Sequence, residues 1–146
     1  MSIFSSINIS SSALTAERTR MDVISKNLAN ANTTRTQSGD PYRRQVVVFK
    51  EAEEKQSFKS ILESKKSKDV DKGVEIVGIV EDKTPFRQVY NPGHPDADEK
   101  GYVTMSNVDT ITEMVDMISA TRSYEANVTA LNTSKSMLLK ALEIGK

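Results

Sequence analysis

Both ends of this 146-residue chain carry a repeat of seven. Near the N-terminus Ile7, Leu14, Met21 and Leu28 recur at intervals of seven. Near the C-terminus Met117, Thr121, Tyr124, Val128, Leu131, Lys135, Leu138 and Leu142 alternate steps of four and three. Such spacing keeps one stripe of an α-helix facing a partner helix over many turns. The N-terminal stripe is thin, because Ser11, Glu17 and Arg18 sit beside it. A helix of that kind does not hold itself in water and needs a partner surface. The pattern predicts an α+β fold: long N- and C-terminal helices packed as a coiled-coil-like pair, with a small antiparallel β region between them.

The chain divides into three parts on this reading. Residues 1–34 form the N-terminal helix, with residues 8–12 offering N-caps. Residues 13–31 contain no Gly, no Pro and few β-branched side chains, so they favour a helix. Asn30, Asn32, Thr33 and Thr34 end it, since short polar side chains compete for backbone hydrogen bonds. Residues 35–106 form a β-rich middle region. Gly39-Asp40-Pro41 signals a turn, and strands are expected over 42–49, 73–81, 86–90 and 101–105, with a bulge at Gly78. Between the first two strands, residues 50–72 are rich in Lys, Glu, Ser and Asp and read as a charged mobile loop. Phe58, Ile61 and Leu62 offer one amphipathic turn inside it, and Lys65, Lys66 and Lys68 a basic cluster. Residues 107–146 form the long C-terminal helix, capped by Asn107 or Asp109, with Thr110 and Glu113 at capping-box spacing. Lys135 sits on its stripe and can reach past the seam or fix register.

Catalytic chemistry is sparse. No cysteine is present, which excludes disulfides, thiolate metal sites and cysteine nucleophiles. The single histidine, His94, lies between prolines and reads as a rigid-turn residue rather than a zinc ligand. Asp96, Asp98 and Gly101 echo a calcium loop, but Asn107 stands where the bidentate Glu belongs. Phosphate-binding glycine loops and nucleophile elbows are absent, and Glu53 and Glu54 lie in an exposed charged run. The expectation is a non-enzyme with no cofactor, no metal and no small-molecule substrate. Lys plus Arg and Asp plus Glu number 20 each, so nothing in the net charge draws the chain to nucleic acid. No apolar run approaches the ~20 residues of a transmembrane helix. The opening Met1-Ser-Ile-Phe-Ser-Ser6 lacks the basic and apolar regions of a cleavable secretion signal.

Three stretches carry a family resemblance. Asn27-Leu28-Ala29-Asn30 with Asn32-Thr33, inside residues 12–34, resembles the N-terminal signature of bacterial flagellar rod and hook proteins. Residues 90–103, beginning Tyr90-Asn91-Pro92-Gly93-His94-Pro95, together with Tyr42-Arg43-Arg44 and the short length, look like the proximal rod member of that family. Asn107-Val108-Asp109, residues 113–118 and residues 120–127 complete it. Ser106 departs from the family pattern, which has proline before Asn-Val-Asp, and this would loosen the strand-to-helix corner. The resemblance implies a structural subunit of the flagellar basal-body rod. Its implied partners are other rod proteins, copies of itself and the flagellar type III export apparatus, and its implied place is the periplasm or cell-wall space.

The residues expected to form the assembly interface are Ile7, Leu14, Met21, Ile24, Asn27, Leu28, Asn30 and Asn32 at one end. At the other they are Met114, Met117, Tyr124, Asn127, Val128, Leu131, Leu138 and Leu142. The asparagine amides either tie the helix end to an adjacent subunit or only terminate the helix. Methionines fill irregular gaps at an interface or in an ordinary core. The alternative to a rod subunit is an export-associated helical adaptor whose terminal helices close into a stable monomeric hairpin.

Overall fold

The computed structural model describes residues 3–52 and 72–144. The expected features at Glu53, Glu54, Phe58, Ile61, Leu62, Lys65, Lys66 and Lys68 lie outside the described residues, as does most of the predicted loop.

Two long helices frame the molecule. α1 spans Ile3–Ala29 and α2 spans Thr110–Ile144; at about 1.5 Å per residue they run roughly 40 and 52 Å. Asn27, near the end of α1, meets Glu113, near the start of α2, while Met21 lies against Thr121 further along. The helices are therefore antiparallel. Between them, β1 (Gln45–Glu51) pairs with β2 (Val74–Glu81), and β3 (Arg87–Tyr90) with β4 (Tyr102–Met105). Both pairs are antiparallel, but they form two separate hairpins rather than one sheet. The register slips where Val48 faces Gly78 and Phe49 faces Ile76, which places the bulge at Val77–Gly78.

α1 begins earlier than its composition suggests. Residues 8–12 lie inside the helix instead of capping it. Ser12 shows why: its hydroxyl donates to the Ile9 carbonyl and accepts from the Val74 N–H, so a residue that suits a cap instead holds the β1–β2 hairpin against the helix flank. α1 is thus covered on one side by α2 and on another by β1 and β2. Its most buried residues, Ala16, Val23, Ile24 and Asn27, lie between these contacts. Ile7, Leu14, Met21 and Leu28 are half-buried beside them. Past the helix, Asn30 accepts from the Thr33 hydroxyl and donates to the Lys26 carbonyl, closing the last turn.

The seam of α2 keeps half of the expected stripe and shifts the rest by one position, leaving Thr121 at its rim against Met21. Its buried residues are Glu113, Ala120 and Ser134, and Met117, Tyr124, Asn127, Val128, Leu131 and Leu138 are half-buried beside them. Thr121, Lys135 and Leu142 are exposed, so Lys135 does not fix the register. A stripe traced through bulky side chains selects these neighbours. The positions buried there are instead the smaller Ala120 and Ser134, side chains that let a facing helix pack near.

The connections carry their own hydrogen bonds. Asp98 Oδ1 accepts the N–H groups of Lys100 and Tyr102, and Gly101 holds φ at +79° where a Cβ would strike the Tyr90 ring. His94 Nδ1 accepts the Asp96 N–H, a turn-forming role. Ser106 is buried, and its Oγ accepts the Val108 N–H. The corner before α2 is therefore tied by a side-chain bond that proline cannot make. Asp109 is the N-cap, with Oδ1 accepting from the Ile111 N–H and Oδ2 from the Thr112 hydroxyl.

The placement of the seam separates two variants. Ala120→Leu, forced into a contact with no room, is expected to lose about 1–3 kcal/mol, seen as a lower urea midpoint by far-ultraviolet circular dichroism. Thr121→Leu, at the exposed rim where it gives up only a weak hydroxyl contact to Met21, should cost less, within about 0.5 kcal/mol of the parent. The opposite ranking would restore the stripe through Thr121.

Candidate functional site

The bulk of the fully buried side-chain volume is polar. Glu113, Asn27 and Ser106 are the largest fully buried side chains. Glu113 occupies the first turn of α2, but it does not reach back to close a capping box. Its Oε1 accepts the Arg44 Nε–H at 2.6 Å and its Oε2 accepts the Asn27 amide at 2.9 Å. One carboxylate thereby joins α2 to the residue before β1 and to α1.

Asn27 completes the joint from the other side. Its Nδ2 donates to the Gln45 carbonyl and to Glu113, and its Oδ1 accepts from the Gln45 N–H and the Tyr42 hydroxyl. An amide has two donors and two acceptor sites, and all four are used here. Because it bonds both the N–H and the C=O of Gln45, the side chain takes the place of a neighbouring strand at the start of β1. Asn27 ties α1 to its own chain, and its hydrogen-bonding capacity is complete there. Asn107 plays a matching part, accepting the Arg44 N–H and donating to the Asp82 and Thr84 carbonyls and the Thr84 hydroxyl.

Arg44 collects the charges. Besides Glu113 it meets Asp82 at 3.5 Å and Asp116 at 3.4 Å, and Arg20 of α1 meets Asp116 at 3.6 Å. Burial works against its charge, but the hydrogen bond and the field of Glu113, then those of Asp82, outweigh it and hold the guanidinium above its usual value. The Tyr42 hydroxyl is raised above 10.0 by burial and by the carboxylates of Glu113 and Glu81, so it stays neutral and donates. The Asp82 carboxyl is held below 3.8 chiefly by the Thr84 N–H, and also by the Thr84 hydroxyl and Arg44. Next to the joint, Arg43 stacks its guanidinium 4.3 Å from the centre of the Phe86 ring and donates to the Asp82 and Thr84 carbonyls.

A cavity of about 290 Å³ borders the joint, lined by Val23, Ile24, Val46, Val47 and Phe49 beside the charged groups. Its acids are already engaged by Arg20 and Arg44. Among the described residues no group of His, Asp and Glu is arranged to hold a metal ion, and no helix is long and apolar enough to cross a membrane. The arrangement fixes two helices and a hairpin in one geometry.

Of the residues expected at an assembly interface, Met117, Tyr124, Asn127, Leu131 and Leu138 line the α1–α2 seam, while Met114 and Leu142 point to solvent. Val128 is half-buried and Asn32 exposed. Arg44, Asp82, Asn107 and Asp116 are central to the joint and were not singled out from the sequence as a site. One signal was available: the seam extended four residues back from Met117 falls on Glu113, and a charge there requires a partner.

The chain matches two known family patterns. "Flagella basal body rod protein" covers residues 7–36 and "Flagellar basal body rod FlgEFG protein C-terminal" covers residues 99–144. Flagellar basal-body rod protein FlgC of Bacillus subtilis is 53% identical over 152 residues, covering the whole of both chains. The FlgC protein of Borreliella burgdorferi is 47% identical over 99% of this chain and 98% of its own, and that of Escherichia coli O157:H7 is 42% identical over all of both. The chain belongs to the FlgC family of flagellar basal-body rod proteins, a structural and non-enzymatic family. It is a rod subunit rather than an adaptor, even though its terminal helices do pair as a hairpin.

Two measurements test the joint. Glu113→Gln, which leaves the Arg44 guanidinium without its closest counter-charge, is expected to cost about 3 kcal/mol in urea unfolding. The double variant Arg44→Met/Glu113→Leu should cost less than the two single changes together, since an apolar pair leaves no buried charge unmatched. A strictly additive result would mean the pair is uncoupled. Asp82 and Asp109 both titrate below 3.8, so their contribution is present above that value and is lost as the pH falls through the lower, folded-state values. Asp82→Asn should therefore flatten the acid limb of a stability–pH curve and leave the limb above pH 6 unchanged in slope.

Proposed function

We propose that this chain polymerises through its terminal helices, with copies of itself and with other rod proteins, into the drive shaft that crosses the periplasm. It reaches that space through the flagellar type III export channel. The observation that carries the assembly reading is on α2. Eight large apolar side chains there, from Ile111 to Ile144, are between 49% and 86% exposed. A helix with one apolar side against α1 and more apolar surface outside has work left for neighbours. Export favours a chain without disulfides and with modest core burial, and this one has no cysteine and only 5% aromatic residues.

The expected interface residues divide in this reading. Met114 and Leu142 meet neighbours directly, whereas Met117, Tyr124, Leu131 and Leu138 shape the hairpin that neighbours grip. Mass spectrometry of purified hook–basal bodies, with and without the gene, tests the whole reading. The protein should be present, and rod and hook should be missing from the deletion strain; intact basal bodies lacking it would refute the proposal. Leu131→Asp, which puts a charge into the half-buried seam, should still be exported but block assembly, giving non-motile cells. Normal swimming by that variant would remove Leu131 from any role in assembly.

A further inference from the structure

The β3–β4 hairpin stands apart from the rest of the frame. Among the described residues neither of its strands lies alongside a helix or the β1–β2 hairpin. At its base it is held by the Arg43 guanidinium on the Phe86 ring and by Asn107, which donates to the Thr84 carbonyl and hydroxyl. At its other end the connection between the strands, residues 91–101, meets the segment that follows α1, residues 30–41. Three side chains make that contact. His94 Nδ1 accepts the Asp96 N–H at 3.1 Å, and Asp96 Oδ2 lies 3.9 Å from the same nitrogen. Asp96 Oδ2 also accepts the Thr34 hydroxyl at 2.8 Å, across 62 residues of sequence. A groove of about 460 Å³ lies beside the contact. Its charged groups are Arg35 and Asp40 from the segment after α1, and Asp96 and Asp98 from the connection. Asp98 is engaged within its own loop, since its Oδ1 accepts the Lys100 and Tyr102 N–H groups.

We propose that His94, Asp96 and Thr34 form an acid-released latch between the 91–101 connection and the segment after α1. A neutral imidazole accepts a hydrogen bond only at its unprotonated nitrogen, and an imidazolium accepts none. The bond from the Asp96 N–H to Nδ1 therefore requires a neutral His94. A proton added at Nδ1 sets two N–H groups against each other and opens that turn. It also places a cation beside the Asp96 carboxylate, and charge-assisted bonds of this type close to about 2.7–2.9 Å. The oxygen that must move from 3.9 Å to that distance is the one that holds Thr34. Its turn toward the imidazolium takes it from the Thr34 hydroxyl, so the latch opens as His94 gains charge. Histidine suits such a role because its charge changes between about pH 5 and 8. Of the other charges at the groove, Asp40 and Asp98 favour the imidazolium and Arg35 opposes it. Once released, the connection keeps the base contacts at Thr84 and Phe86 and moves about them.

His94 is the only histidine in the chain, so its imidazole can be followed by itself. Two-dimensional NMR of the purified full-length chain, titrated from about pH 8 to about pH 5, reads the latch. The imidazole signals, the Asp96 amide and the Thr34 amide should move together with one common midpoint. The coupling is reciprocal: if the proton weakens the Thr34 contact, loss of that contact must strengthen proton binding. Thr34→Val should therefore raise the imidazole midpoint, by about 0.3 of a pH unit for a twofold coupling. Asp96→Asn, which removes the counter-charge, should lower it. In His94→Gln the Thr34 amide should no longer move over this range. A Thr34 amide that stays still while the imidazole titrates would overturn the proposal. So would an unchanged midpoint in Thr34→Val or in Asp96→Asn. Movement of Thr34 that persists in His94→Gln would assign the response to other groups and would equally overturn it. All three substitutions lie on exposed or half-buried connections away from the Glu113 joint, and the amide spectrum itself reports whether each variant keeps the fold.

Discussion

A carboxylate with no exposure to water, that of Glu113, is the point on which the rest of this structure is organised. Taking a charge out of water is costly, and the attraction of one arginine repays that only in good geometry with further hydrogen bonds. Both conditions are met, by the Arg44 contact at 2.6 Å and the Asn27 amide at 2.9 Å. The net gain in stability from such an arrangement is small. Its larger effect is selective, because any shift of α1 or α2 along the seam would separate groups that have no water to replace them. An apolar seam alone, which tolerates sliding by a turn, would not impose one register.

This division of labour explains the composition of the seam. Ala120 and Ser134 give little burial energy, and Met117, Tyr124, Leu131 and Leu138 are only partly covered. The seam brings the helices close, and the joint at one end sets where they stop. Between them, Ser12, Arg43 and Asn107 connect the β-hairpins to the same frame through backbone groups. A twist applied to either helix therefore reaches the hairpins through hydrogen bonds to main chain, a stiffer path than loose apolar contact. That suits a structural subunit of a rod.

The sequence made the architecture legible because both terminal repeats and the alternating strands follow backbone periods. It also made the class legible, through motifs around Asn27, residues 90–103 and Asn107. It misplaced finer features wherever a polar residue had a distant partner. Ser12 looks like a cap but anchors β2, and Glu113 looks like half of a capping box but is buried against Arg44. Lys135 looks like a seam residue because it continues the four-three spacing, while the smaller Ser134 holds the buried position. Local spacing cannot show an acceptor 86 residues away, the separation between Asn27 and Glu113.

That separation also sets a clock. Asn27, Arg44 and Glu113 are spread over most of the chain, and closing a loop of this length carries an entropic penalty that no local contact offsets in advance. Under the export route proposed above, the joint stays incomplete while any part of residues 27–113 is still inside the channel. Each fragment that has already emerged holds amides and charges that water solvates well, so it has little reason to collapse. The chain becomes a rigid body only on full arrival, which places the onset of stiffness at the site of use and not along the way.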